Sequence, residues 1–221
     1  MTTAFEKVVT CAICGEEQAV QAMGSTSAFG TMDLDTRPPQ MRRSSMWLWL
    51  QECASCGYVA ADLGDADEVK PMDSLWHAYL AELNSPRRQR LANLFVRRSL
   101  LDEAAGDLAA AGWRRLHAAW VCDDHGLAEE ASLQRRAAIG LFERSRAAGR
   151  PAMEQSVGGD ELLLADLARR CGDFEVALAY CELGSRLEVQ PFIRQLLEFE
   201  KRLCAAADMA CHNVGEVQTA R

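Results

Sequence analysis

Cys53-Ala54-Ser55-Cys56-Gly57 repeats the pattern of Cys11-Ala12-Ile13-Cys14-Gly15, and this pair of runs decides how the front of the chain is read. A CxxC spacing lets both sulfurs of a tight turn face one ion. The glycine behind it accepts positive φ and lets backbone amides turn toward the thiolates. A single CxxC also suits a redox pair. Two of them, each followed by glycine, supply the four sulfurs that a tetrahedral ion takes with no position left open. The expectation is one structural zinc ion held by Cys11, Cys14, Cys53 and Cys56. Iron in a rubredoxin-like site shares that ligand geometry and stays as the alternative. A front region with little core of its own would draw its stability from the metal.

Around these knuckles, from about Val8 to Asp65, the chain is broken by Gly, Pro and Cys. Met46-Trp47-Leu48-Trp49-Leu50-Gln51-Glu52 reads as a strand entering the second knuckle. From Met72 onward the chain is rich in Ala, Leu, Arg and Glu and reads as helix. Ser85 with Pro86 reads as an N-cap and a first-turn proline, ahead of a helix with Leu91, Leu94, Phe95 and Leu101 on one face. A second helix starts near Asp107, carries Trp113, Leu116 and Trp120, and ends at His125-Gly126. A third, from about Ala128, carries Ala131, Ala138, Leu141 and Phe142. After a loop over Met153 to Gly159 come helices over 161–170, 173–187 and 191–209, with the last ten residues expected to fray.

Leu164, Ala165, Ala168, Gly172, Phe174, Ala177, Leu178, Cys181 and Gly184 form a unit that resembles a tetratricopeptide repeat, two antiparallel helices packed through small residues. A weaker unit holds Trp113, Leu116, Trp120, Gly126 and Ala131. The fold expected is mainly α: a small N-terminal zinc-ribbon-like β module over 5–66, then an α-helical tetratricopeptide-like stack over 72–211.

The bulk numbers narrow the function. The chain has 221 residues, 49% hydrophobic and 25% charged, the balance of a folded protein with a core. Its net charge of -8 argues against a general nucleic-acid binder, whose phosphate affinity comes from dense Lys and Arg. Arg87, Arg88, Arg90, Arg97 and Arg98 form a local basic run, read as a solvated helix face. No apolar run is long enough to span a bilayer, and the start lacks the features of a signal peptide. Nine cysteines are then expected in a cytoplasmic protein as metal ligands and buried thiols rather than disulfides. Cys171, Cys181 and Cys204 fall on apolar helix faces and read as buried.

Asp33-Leu34-Asp35-Thr36-Arg37-Pro38-Pro39 is the least generic polar stretch. On an extended segment both carboxylates point the same way, with Arg37 near enough to pair with either. The stretch is then either a metal or ligand site at the rim of the zinc module or a polar turn locked by Asp–Arg pairing. Cys122-Asp123-Asp124-His125 and Cys211-His212 invite a second metal, against the plainer reading of a core thiol and an acidic helix end. The sequence motifs of the common hydrolases, phosphate binders, dinucleotide binders and zinc proteases are missing.

CxxCG, then Asp-Leu-Asp-Thr-Arg-Pro-Pro, a Trp-containing strand and Glu-Cys-x-x-Cys-Gly-Tyr-Val-Ala together resemble the bacterial domain-of-unknown-function family 2225, whose members join such a zinc module to tetratricopeptide-like helices. The motifs lie within Cys11 to Ala61, and the likeness in layout covers the chain. Where many members carry proline after the first cysteine of each knuckle, this chain has Ala12 and Ala54, which leaves the ligands unaffected. The resemblance implies a fold and a metal, and no activity.

The function expected is a zinc-binding, non-enzymatic interaction or scaffold protein that takes a protein or peptide on its helices. One alternative is a nucleic-acid-associated regulator using the zinc ribbon with Arg37, Arg42 and Arg43. A second is a metal-dependent enzyme centred on Asp33 and Asp35.

Overall fold

The computed structural model describes residues 1–65, 73–83 and 85–219, without the side chains of 73–76, 218 and 219. The join expected between 66 and 72 and the side chain of Trp76 lie outside the described residues. The chain is mainly helical, with small two-stranded sheets near its N-terminus. The hairpin of β1 (Thr3–Thr10) and β2 (Glu17–Ser25) comes first. Next are the short pair β3 (Ala28–Phe29) and β4 (Gln40–Met41), then the pair β5 (Gln51–Glu52) and β6 (Val59–Ala60). Each pair is antiparallel.

A 3-10 turn of helix over Arg43–Leu48 replaces most of the strand expected at 46–52. Met46, Leu48 and Leu50 are buried while Trp47 is exposed, so the alternation is present without the extended backbone. Ser45 explains the difference. Its hydroxyl donates to the Arg42 carbonyl at 2.8 Å and accepts from Trp49 Nε1 at 3.3 Å, local bonds that compete with a ladder.

The helices are α1 (Asp73–Leu83), α2 (Arg90–Ala104), α3 (Leu108–Asp124), α4 (Ala128–Ala147), α5 (Gly159–Arg170), α6 (Phe174–Ser185), α7 (Pro191–Ala205) and the short α8 (Glu216–Thr219). From α1 to α7 each helix packs on the next, and α5 also meets α7. Asp107 caps α3 by accepting from the Ala110 amide at 3.0 Å. Helix α3 crosses α4 closely at Gly112, where a Cβ would come within 2.5 Å of the Phe142 ring. The residues of the clearest repeat unit lie on the adjacent pair α5 and α6. Leu164, Ala165, Ala168, Ala177 and Cys181 are buried there, while Leu178 is exposed.

Two helix ends differ from expectation. Helix α2 begins at Arg90 rather than at Pro86. Arg88 folds inward to bond Asn93 Oδ1 at 3.0 Å and to pair with Glu82 and Glu130, which holds 85–89 as a turn. Helix α7 stops at Ala205, and the described part of the expected frayed end is tied down instead. Leu34 donates to the His212 carbonyl at 2.9 Å, and Val214 to that of Met32 at 3.0 Å. Arg169 donates to the carbonyls of Asp208 at 2.7 Å and Ala210 at 2.9 Å.

One buried apolar cluster joins Val9, Leu34, Met46, Tyr58 and Leu63 of the front region to Phe95, Leu116, Trp120 and Phe142 of the helices. Each such large side chain contributes about 1.5–3 kcal/mol when fully buried. The knuckles therefore sit on a packed platform.

Candidate metal centre

Each knuckle is the loop of one hairpin, and the two loops share a backbone. In the first, the Cys11 amide donates to the Glu16 carbonyl at 2.8 Å and the Gly15 amide to the Cys11 carbonyl at 2.8 Å. In the second, Cys53 donates to Tyr58 at 2.8 Å and Gly57 to Cys53 at 2.9 Å. Gly15 (φ 76°) and Gly57 (φ 75°) both occupy the left-handed region that glycine enters at no steric cost.

This folding brings the four sulfurs together. Cys11 and Cys56 are 3.8 Å apart, Cys14 and Cys53 3.6 Å, and all four lie within 4.8 Å of one another. Four sulfurs at the usual Zn–S length of about 2.3 Å define a tetrahedron whose edge is about 3.8 Å. A disulfide needs its sulfurs at about 2.0 Å. The residues thus fit a four-thiolate metal ion, and among the described residues this is the one cluster of its kind. The thiols differ in their ease of ionisation. The Glu16 amide directed at Cys14 brings that thiol down to about 7. Burial pushes Cys53 up and Cys56 up to about 12. Metal binding displaces those protons.

Residues outside the CxxC motifs fix one knuckle against the other. Gln18 on β2 donates to the Glu52 carbonyl at 2.9 Å and accepts from the Ala54 amide at 2.9 Å, so one side chain spans both hairpins. The Ala12 amide donates to the Leu63 carbonyl at 2.9 Å, and Lys7 pairs with Asp62. Behind the second knuckle, Tyr79 of α1 donates to the Gly57 carbonyl at 2.8 Å. Arg97 of α2 pairs with Glu52 and lies over the Tyr79 ring at 5.2 Å. Its Nε and Nη1 are buried without partners among the described residues, and Nη1 is 3.8 Å from where a side chain on Gly57 would begin. A guanidinium there places positive charge behind the second knuckle, the sign that would offset a four-thiolate metal site. None of these supports has a sequence signal of its own; the glutamate directly before Cys53 is the nearest to one.

The basic run before and along α2 is a solvated face only in part, at the exposed Arg87 and Arg90. Arg88 and Arg97 are buried, and Arg98 pairs with Asp102 at 2.6 Å. The trio Arg37, Arg42 and Arg43 is also dispersed. Arg37 is buried against Asp124 at 2.5 Å and Arg43 is held by Asp33 at 2.6 Å, which leaves Arg42 exposed.

Asp33 and Asp35 do not converge on one site, nor does either pair with the Arg37 side chain. Asp35 is fully buried, accepting from Trp120 Nε1 at 2.7 Å and Arg170 Nη1 at 2.8 Å through Oδ2. Its Oδ1 accepts from the Arg37 amide at 3.2 Å. Asp33 faces Arg43 and the Cys211 thiol, 3.3 Å away. The stretch is a clamp: its turn is closed by Asp33 donating to the Arg37 carbonyl at 3.0 Å, and its carboxylates reach α3, α5 and the C-terminal segment. Cys122 is buried in the core, Asp123 pairs with Arg135 and Arg170, and His125 is exposed, so that run does not assemble a ligand set. His212 instead joins Asp208 at 3.0 Å and Glu216 at 2.7 Å. Cys171, Cys181 and Cys204 are buried as expected.

No family model, curated protein or solved structure matches this chain.

Proposed function

We propose that this chain is a zinc-binding, non-enzymatic interaction protein, similar in layout to the members of family 2225. One structural ion held by Cys11, Cys14, Cys53 and Cys56 fixes the two hairpins. The tetratricopeptide-like helices offer their surface to a protein or peptide, in a reducing, cytoplasmic setting. The observation that carries the metal reading is the spacing of four sulfurs at the edge of a zinc–thiolate tetrahedron, on two knuckles of one backbone form. Four thiolates close the coordination sphere and leave no position for a substrate, which supports a structural role. The small buried residues shared by α5 and α6 support the repeat reading. No helix among the described residues is long and apolar enough to cross a membrane.

Elemental mass spectrometry on protein purified without added metal tests the proposal, with Cys53→Ser alongside. The expected result is one zinc per chain, lost in the variant. One iron per chain would replace zinc in the same site. Folded protein without metal would overturn the reading and turn attention to the CxxC pairs as dithiols.

A further inference from the structure

An open cleft of about 700 Å³ lies where the 3-10 turn and the Asp33–Arg37 clamp meet α3. That volume is in the range of small-molecule sites. One wall is aromatic, built from Trp49, Trp113, His117 and Trp120. His117 meets Trp49 edge-on at 5.1 Å and lies tilted on Trp120 at 4.9 Å. These contacts hold the wall rigid, and Met32 and Pro38 also line the cleft.

In this cleft Trp49 and Trp120 have given their N–H groups to Ser45 and Asp35. His117 makes no hydrogen bond among the described residues, and its Nδ1 is sealed from solvent without a partner. Burial, with Arg114 near by, brings the imidazole down to about 3, so it is neutral. With Nδ1 sealed, Nε2 is the ring nitrogen left to bond a ligand, as a donor when it carries the proton of the neutral ring. Arg42 is exposed, with no side-chain partner among the described residues, and Arg114 has one long contact, 3.4 Å to Asp102. Arg42 and Arg114 therefore bring cationic donors with spare hydrogen-bonding capacity to this wall. Thr36, at φ 67°, also lines the cleft, and strain of this kind collects at ligand sites. A cleft of similar size beside α7 lacks these features: there Arg202 stacks on Phe199 and Glu198 pairs with Lys201.

We infer that the cleft binds a small planar aromatic anion, its ring against Trp113 and Trp49 and its acidic group held by His117, Arg42 and Arg114. Aromatic faces favour a flat ring, and clustered donors favour an acceptor-only carboxylate or phosphate. The inference stands apart from the metal reading, since no lining residue is a proposed ligand.

Titration calorimetry on the full metal-loaded chain tests it, with 2-naphthoate and 2-naphthyl phosphate as probes and neutral 2-naphthamide as control. Saturable one-to-one binding is expected for at least one anion, with the preferred one marking the acidic group as carboxylate or phosphate. The amide should bind about tenfold more weakly. Arg42→Ala, at an exposed side chain unpaired among the described residues, should weaken the anion about five- to tenfold and leave the amide unchanged. Ala28→Trp, on the exposed rim, should abolish binding, with metal content and circular dichroism unchanged in both variants. Absence of saturable binding by both anions at millimolar concentration would overturn the inference. Equal binding of the amide, or of the anion by Arg42→Ala or Ala28→Trp, would also overturn it.

Discussion

The two knuckles share a sequence pattern and a backbone, yet one is built on the helices and the other is not. The second is backed by Tyr79 and Arg97, and its Cys53 is buried. The first, whose Cys11 is equally buried, ends in an exposed Cys14 and is tied through Lys7 and Ala12 to the short turn at 62–63. A CxxCG motif dictates the local loop. How firmly that loop is held depends on residues the motif does not contain. The site is best viewed as a fixed half and a more exposed half, joined by Gln18, by the Ala12 and Lys7 ties and by the proposed ion.

The largest effect expected on this asymmetry comes from the ligands. Cys53→Ser should lose the metal and lower Tm by roughly 10 °C, the scale of a loss of about 3 kcal/mol in a chain this size. Cys14→Ser should also lose stoichiometric metal but lower Tm less, because its hydroxyl reaches water. Equal losses of Tm would remove the distinction between the halves. Metal analysis with thermal melts checks both variants.

Next in size are the two charged ties. The Arg97 side chain is 1% exposed and that of Glu52 14%, so Arg97→Ala leaves a largely buried carboxylate with Arg90 alone. A cost of about 2–3 kcal/mol follows, with faster metal loss to a chelator. Lys7 and Asp62 are 32% and 38% exposed, and Lys7→Ala should cost under about 1 kcal/mol. Denaturant unfolding of the pair gives the comparison directly. A larger loss in Lys7→Ala would reverse the assignment of the fixed half.

Hydrogen bonds come after the charges. Gln18→Ala removes both bonds that span the hairpins and should cost about 1–2 kcal/mol, while Tyr79→Phe should cost about 1 kcal/mol. Chelator competition should show weaker metal retention in Gln18→Ala than in Tyr79→Phe, since Gln18 bonds both hairpins through one side chain.

The smallest expected effect is one of pH. The bond from Lys7 holds Asp62 below its ordinary value of 3.8. A carboxyl with a lowered folded pKa contributes stability above 3.8 that is lost as pH falls through the folded value. Wild type should therefore lose its small advantage over Lys7→Ala below about pH 4, and added salt should shrink it at neutral pH. Parallel acid titrations followed by circular dichroism would show an unchanged gap if the tie contributes nothing.

The local signals in the sequence were reliable where the chemistry is local. Two CxxCG runs specify two knuckle loops, because glycine and the short spacing act within five residues. Asp107 and Gly126 bracket α3 for the same reason. The Asp33–Arg37 stretch was visible as unusual, but its partners were not. Arg170, Trp120, Asp124 and Cys211 lie far away in sequence, and nothing in the stretch names them. The strand expected at 46–52 failed because alternating burial is compatible with a 3-10 turn once Ser45 bonds the backbone locally. Ser85-Pro86 failed as a cap because Arg88 gains more from Asn93, Glu82 and Glu130 inside the fold than the helix gains from an extra turn.

The sequence by itself determined the four thiols, the loops that carry them and the helical character of the rest, since each follows from spacing and periodicity along the chain. Tertiary structure alone decided that the sulfurs meet, that Arg97 backs one knuckle, and that the C-terminal segment returns to clamp Asp33. It also decided that three tryptophans and a neutral histidine wall one cleft. Those are contacts between residues distant along the chain, and only the closing of a shared core brings their side chains within reach.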